Sequence, residues 1–442
     1  MPTIITNATE LKAIENDMAG NYILGNDIDL DGANFEPIGY EEGDGYSAKF
    51  RGMLDGNGYK IHNGTIEYEY EDYYIGLFAF IAGGGTVKNL GMEINIRGGY
   101  RVGAIAGVCY SINFEGVVLI DNCYNTGNVQ GDWGSIGGLS GHCEGSITNS
   151  YNTGSVSADT ETDEDGGVNV GGLAGLFWGD EYLEIGYMTD CYNTGNIYNV
   201  NFNGGGLVGE LKGDAGYLDR CYNTGSVNSA YDQTSSMGGL IGNSQPSRGY
   251  MTNCYNIGII TSGGWFGGLI GTLNAPLFDV FTIENCYNAG ELIITESDWS
   301  DYVGGLVGTV DGDENVEFIN CYWDTEASGK ADAVGDGDDT GVYGKTTAEM
   351  KDINTFLPEW DIAAQGEVTQ DENGWNDNYT WGIGTANDGY PFLRLVDVIP
   401  FDVWVKKAGT WKTCSDIWVK KGGAWRPVVG VWVKKQGQWQ PV

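Results

Sequence analysis

The sequence predicts an all-β chain: a parallel β-helix (β-solenoid) of right-handed coils with short helical caps, followed by a small C-terminal module of antiparallel β-hairpins. Three observations lead there. A Gly-Gly-Leu-x-Gly phrase recurs at Gly137–Gly141, Gly171–Gly175, Gly205–Gly209, Gly238–Gly242, Gly267–Gly271 and Gly304–Gly308, with steps of 34, 34, 33, 29 and 37 residues. A Cys-Tyr-Asn-Thr-Gly phrase alternates with it at Cys123–Gly127, Cys191–Gly195 and Cys221–Gly225, and variants start at Ser150, Cys254, Cys286 and Cys321. A separate repeat spaces tryptophans 14 residues apart near the C-terminus. Two short strand phrases within a period of about 34 residues mark a solenoid in which one repeat is one coil. Parallel crossovers favour the right-handed sense.

Residues 1–65 read as an N-terminal cap and first coils. Thr6-Asn7-Ala8-Thr9-Glu10-Leu11 is a helix start, with Leu11 and Ile14 on one apolar face and Gly20 beyond the end. Asp27-Ile28-Asp29-Leu30-Asp31-Gly32 resembles the opening of a calcium loop. Ile28 and Leu30 imply a strand instead, and no closing Glu stands at the required offset.

Residues 66–330 form the repeat body. In Ile147-Thr148-Asn149-Ser150-Tyr151 the alternation sends every second side chain inward. Cys123, Cys191, Cys221, Cys254, Cys286 and Cys321 are then expected to stack in an interior column, with Ser150 filling one step. The Tyr after each Cys faces outward. Asn125, Asn152, Asn193, Asn223, Asn256 and Asn288 stand where the strand turns, and an amide there can accept from one rung and donate to the next. The Gly two residues later is expected to supply a positive φ. The paired glycines bend the backbone, and the following Leu fills the core. An acidic insertion, Ala158–Gly166, is expected to bulge from one face.

These phrases resemble the GLUG-motif repeats of bacterial and viral surface proteins, named for the Gly-Leu-x-Gly strand. The resemblance extends to the opening (Asp27-Ile28-Asp29-Leu30, Phe50-Arg51-Gly52, Leu54–Gly58). It also covers the closing run (Cys321–Thr325, Lys345–Lys351, Trp381-Gly382-Ile383, Gly389–Leu393), so it spans residues 3–397. It implies a non-catalytic, adhesin-like surface module.

Residues 331–399 read as the C-terminal cap. Ala331–Gly344 is Gly- and Asp-rich and is expected to be a loop, and Thr346-Thr347-Ala348-Glu349 is a capping box before a short helix ending near Pro358. Residues 400–442 form a different module. Trp404, Trp418 and Trp432 open its three units, and Trp411, Trp425 and Trp439 close them. Each unit is two alternating strands around a Gly turn, a hairpin repeat. Lys406, Lys407, Lys420, Lys421, Lys434 and Lys435 contribute to a net charge of +6, against −45 for the remainder. Short units of this kind resemble C-terminal modules of tailed-phage structural proteins. Trp rows can stack on sugars while Lys attracts anionic groups, which would make the module a receptor-binding tip. Hairpins that pack on other copies or on the particle would make it an anchor. Trp rows that simply form the core of a small sheet stack, with Lys on the wet face, fit both uses.

The chain has 61 acidic and 22 basic residues, a formal charge of −39. Such a body repels nucleic acid and anionic membranes. No stretch reaches the roughly 20 apolar residues of a membrane-spanning helix. Met1–Asn7 lacks the basic and apolar regions of a signal peptide, so folding in a host cytoplasm is expected. The nine cysteines agree, because one Cys per coil in an odd total fits reduced thiols.

Only two histidines exist, His62 and His142, and they complete no nucleophile-base arrangement. His142-Cys143-Glu144 lacks zinc-ligand spacing. Loop acids in Asp311–Glu314 and Asp336–Asp339 are the remaining calcium candidates; no catalytic residue, metal or cofactor is expected. The expected function is a virion adhesin of the tail-fibre or appendage type. Its partners would be other virion proteins, further copies of itself and a host-surface glycan or protein. The rivals are a carboxylate-based polysaccharide depolymerase and a cellular surface adhesin.

The column assignment predicts that Cys191, Cys221, Cys254 and Cys286 resist alkylation in the native protein and react after denaturation. Rapid native labelling of all four would remove the interior column.

Overall fold

The computed structural model describes residues 1–394 apart from 41–47, 69–72, 112–115, 160–166, 181–185, 230–234, 275, 277–278, 296–301, 313–314, 366–368, 372–373 and 377–378; beyond 394 it describes the strands between 403 and 441. The acidic insertion Ala158–Gly166 lies outside the described residues from 160 onward, as do Asp313 and Glu314 of one calcium candidate. The chain divides into two compact units, Met1–Leu395 and Val396–Val442.

The first unit is a parallel β-solenoid. One coil shows the plan. Leu119–Asp121 lies in sheet A, Tyr124–Asn125 and Val129–Gly131 in sheet B, Ser135–Gly137 in sheet C and Ser140–Glu144 in sheet D. Each strand pairs in parallel with its equivalents one coil before and after; Ile136, for example, sits between Val102 and Val170. Among the described residues sheet A has eleven strands, sheet C eight and sheet D nine. Sheet B opens on Ile28–Asp29 and continues as single long strands, Lys60–Glu67 and Gly91–Gly98. Later coils split there into two short strands, and both halves pair with Gly91–Gly98.

The reason for the split is the asparagine. Asn223 spends all four of its hydrogen-bonding positions. Its Nδ2 donates to Gly225 O (2.8 Å) and to Asn256 Oδ1 (2.9 Å). Its Oδ1 accepts from Gly225 N (3.2 Å) and from Asn193 Nδ2 (2.9 Å). The same bonds link Asn125, Asn152, Asn193, Asn223, Asn256 and Asn288 head to tail at 2.8–2.9 Å. All six are fully buried. Met92 occupies the preceding position and Trp323 the following one, so apolar residues close both ends.

The amide ladder dictates the glycines. A Cβ on the second glycine of each Gly-Gly-Leu-x-Gly phrase would overlap an Asn amide: Gly138 that of Asn152, Gly172 that of Asn193, Gly206 that of Asn223, Gly239 that of Asn256. The third glycine is needed for another reason. A Cβ on Gly141, Gly175 or Gly209 would strike the backbone of sheet C one coil earlier, at Val102, Ile136 and Val170. Between them Leu139, Leu173, Leu207, Leu240, Leu269 and Leu306 are fully buried, each contributing roughly 1.5–3 kcal/mol.

Two sequence expectations change. Gly127, Gly154, Gly195 and Gly225 do not take the positive φ expected of them; a Cβ on Gly154 would instead collide with the Gly127 carbonyl one coil away. The left-handed corner falls just before the Cys column, at Asn89, Asn122, Asn149, Asp190, Arg220, Asn253, Asn285 and Asn320, with φ of 50–55°. Asn and Asp tolerate that region better than most residues. Second, Ala331–Gly344 is not all loop. Val334–Asp336 continues sheet D and Val342–Lys345 continues sheet B.

Cys123, Cys191, Cys221, Cys254, Cys286 and Cys321 are buried as free thiols at equivalent positions, with Ser150 Oγ accepting from Cys123 N at 3.0 Å. Cys109 and Cys143 are paired in register in sheet D and are likewise buried and free. Burial pushes the Cys123 thiol up to about 12. The N-terminal helix Ala8–Lys12 is capped by Asn7, which accepts from Glu10 N, and it buries Leu11 and, in the following turn, Ile14. The second unit contains three two-stranded antiparallel hairpins: Val403–Lys407 with Thr410–Cys414, Trp418–Lys421 with Ala424–Pro427, and Trp432–Lys435 with Gln438–Pro441.

Replacing Gly206 with Ala forces a methyl group against Asn223 and the Gly239 carbonyl. Overpacking of this kind should lower stability by roughly 1–3 kcal/mol, read as a lower urea midpoint at unchanged slope. Wild-type stability in that variant would refute the steric role of the second glycine.

Candidate functional site

Two surfaces carry residues singled out by the sequence. The first is the Tyr face of sheet B. Tyr124, Tyr151, Tyr192, Tyr222, Tyr255 and Tyr287 stack ring on ring, with centroids 4.7–5.3 Å apart and planes within 8° of parallel. Coil spacing produces this stack directly, since register-matched residues lie about 4.8 Å apart. The C-terminal end of the row is not an open surface. The segment after the solenoid lies along its last coils, where Trp381 meets Tyr255 and Tyr287, and Trp360 meets Tyr287 and Tyr322. Polar bonds fix it there. Tyr287 Oη donates to Pro391 O, Trp360 Nε1 to Asn320 O (3.0 Å) and Tyr390 Oη to Asp324 Oδ2 (2.8 Å). The predicted capping box is present in helix Thr347–Met350, on Thr346 and Glu349. This segment therefore covers the flank of the stack. Tyr255, Tyr287 and Tyr322 are buried; Tyr124, Tyr151, Tyr192 and Tyr222 are half-exposed.

The second surface is the C-terminal module, where backbone register is informative. Residues directly opposite across a hairpin, and those two apart along a strand, share a face. Lys406 pairs with Trp411, Lys420 with Trp425 and Lys434 with Trp439. Trp404, Trp418 and Trp432 lie two residues before those lysines. Each hairpin thus places two Trp and one Lys on one face, and Lys407, Lys421 or Lys435 on the other. Sorting all the lysines to a face opposite the Trp rows is not what the register gives.

His142 and Glu144 lie on the outward face of sheet D, and Cys143 between them points into the core. Asp29, in the former calcium-loop candidate, is in strand Ile28–Asp29 and accepts from Asp31 N and Asn63 Nδ2. Among the described residues no group of three or more His, Cys, Asp or Glu is placed to hold a metal ion. The sequence reading missed a corner between sheets C and D, where Arg101, beside the Tyr74 and Tyr100 rings, lies close enough to disfavour protonation of His142. The available signal was positional: both lie on outward-facing positions flanking consecutive glycine phrases.

No family model matches the chain. It is 32% identical to Halomucin of Haloquadratum walsbyi over 146 residues, 29% of this chain and 2% of that protein. It is 31% identical to a protein named "Putative Gly-rich membrane protein" of Evansella cellulosilytica over 136 residues, 30% of this chain and 12% of that protein. The chain therefore matches only a small part of these relatives' length. A solved structure described as a "putative immunoglobulin A1 protease" from Bacteroides ovatus aligns over 89% of this chain and 92% of its own, at 20% identity and a TM-score of 0.37.

Burial raises the phenols of Tyr255 and Tyr287 well above their ordinary value of 10.0. A raised folded pKa means that the stability these groups contribute is complete below about pH 10 and is lost as pH climbs past it. Alkaline titration should show their phenolate absorbance only together with loss of β-structure. Full ionisation of every Tyr in a still-folded protein would contradict the buried assignment.

Proposed function

We propose that the chain is a structural attachment protein of a virion appendage, with the solenoid as a rigid, non-catalytic stalk and the Trp/Lys hairpins as the attachment element. The observation that carries this reading is the threefold repetition, in the second unit, of a hairpin face bearing two Trp and one Lys. Aromatic area next to positive charge suits both glycan and protein partners. Eight buried free thiols agree with folding in a reducing compartment, as virion proteins do. The resemblance of the repeats to GLUG adhesin modules, and of the hairpins to tailed-phage modules, supports the same assignment. Its partners would be other virion proteins or further copies of itself, together with a host-surface glycan or protein.

One observation favours a cellular surface instead: the match to the Evansella protein named as a membrane protein. The position of the native chain, on purified particles or on cell envelopes, separates the two.

Substituting Trp404, Trp418 and Trp432 together with Ala should abolish incorporation into the particle if the hairpins anchor the protein. If they form a tip, incorporation should persist and binding to host cells should be lost. Neutralising the lysine pairs should give a milder, salt-sensitive loss, because exposed charges are screened within about 10 Å at 0.1 M salt. A triple variant that assembles and binds normally would sink the attachment role of this unit. Release of reducing sugar from capsular polysaccharide by the full chain would overturn the non-catalytic assignment.

A further inference from the structure

The early coils bring cations and aromatic rings together at one corner that no sequence motif marks. Sheets C and D approach closely there; a Cβ on Gly141 of sheet D would lie 2.8 Å from the Arg101 carbonyl carbon of sheet C. Arg101 pairs in register with Tyr74, and its guanidinium lies 5.7 Å from the Tyr74 ring and 5.1 Å from that of Tyr100. Tyr100 in turn packs on Trp133 at 4.3 Å. On the sheet D side, Tyr74 meets Phe80 edge-on at 5.9 Å, and the Lys49 ammonium stands 4.9 Å from the Phe80 ring.

Three atoms of this corner are left unsatisfied. Arg101 Nε and both ring nitrogens of His142 are buried without a hydrogen-bond partner, three of only five such side-chain atoms among the described residues. Glu144 Oε1 lies 3.2 Å from His142 Nε2, poorly aligned as a hydrogen bond but close enough to favour the charged imidazole, so Arg101 Nε and His142 Nδ1 are the atoms left wholly unmet. Native proteins leave few such groups unmet, because each keeps its desolvation penalty uncompensated. Arg101 is unusual in a second way. Arg97, Arg220 and Arg248 each hold at least one Asp. Arg101 and Lys49 have no carboxylate partner among the described residues, in a chain with 61 acids. A cation without an anion among the described residues, beside rings and a half-met imidazole, is the arrangement that receives an anion from outside.

We propose that this corner binds a carboxylated sugar unit, a uronate. Its carboxylate would sit on the Arg101 fork, a ring hydroxyl would bond to His142, and its C–H face would lie against Tyr100 and Trp133. Burial holds the His142 pKa below its ordinary value, so the neutral imidazole, with its Nε2 side toward Glu144, can accept from a hydroxyl at Nδ1. Glu144, beside His142, would accept from a second ring hydroxyl, and repulsion from the more distant acidic surface is screened at physiological salt. The site belongs to the solenoid unit and stands whether or not the hairpins attach.

Calorimetric titration of the full-length protein with short oligogalacturonate, and with neutral maltooligosaccharide as the comparison, tests this. Oligogalacturonate should bind, with affinity falling as salt rises, and the neutral sugar should bind at least about tenfold more weakly, the loss expected without a charge-assisted hydrogen bond. Arg101→Gln should reduce the acidic-sugar affinity by about as much while keeping the thermal transition. Should that variant not fold, Arg101→Lys, which keeps the charge but not the fork, should still weaken binding, and His142→Gln should weaken both sugars. Absence of binding by the wild-type protein, equal affinity for both sugars, or unchanged affinity in the folded Arg101 variants would each overturn the proposal.

Discussion

Six asparagine amides bonded head to tail inside the core impose most of the architecture. A buried amide is tolerable only if every donor and acceptor is met, and each Asn achieves this with its own bend and its two neighbours. Asp at the same place would lack the donors, and Gln would carry the amide one methylene too far. The amide also takes up room, and the facing glycine column concedes it by having no Cβ. Ladder, bend and glycine phrase are therefore one device seen from three positions in the sequence. This explains why the two phrases alternate with the same period.

Around that polar spine the core is ordinary. Leu, Ile and Val columns fill the coil, and a column of buried free thiols runs beside them. Low-polarity surroundings strengthen hydrogen bonds in a chain and let them polarise one another, so the spine and the apolar columns reinforce each other. The C-terminal segment adds a second apolar cluster outside the coil, built on Trp360, Trp381 and Tyr287. It joins several coils laterally, so local opening of the last coils must also undock it.

The repeat body was readable because period-two alternation and fixed phrases map one to one onto strands and corners. Position of the turn was not. The glycine of Cys-Tyr-Asn-Thr-Gly looked like a positive-φ residue, but close approach between coils, not dihedral preference, selects it. Gly and Asp dominate the stretch after Ala331 and by composition give a loop; register with the preceding coil overrides that composition at Val334 and Val342. The flank-covering role of Trp360 and Trp381 could not be read from spacing, because their partners lie up to 128 positions away. For the same reason the corner at Arg101 and His142 exists only once the coils are stacked.

The direction of the amide chain has a consequence for evolution of length. Every Asn donates toward the C-terminal neighbour, and the chain starts beside Met92 and ends beside Trp323. Any internal coil offers its neighbours the same acceptor below and the same donor above. Removing or duplicating one whole coil rejoins the spine without a mismatch, whereas a fractional change strands an amide in the core. Such a molecule can change its reach in discrete increments of one rung while its two ends stay chemically the same, which allows recombination between repeats to tune length without redesigning the fold.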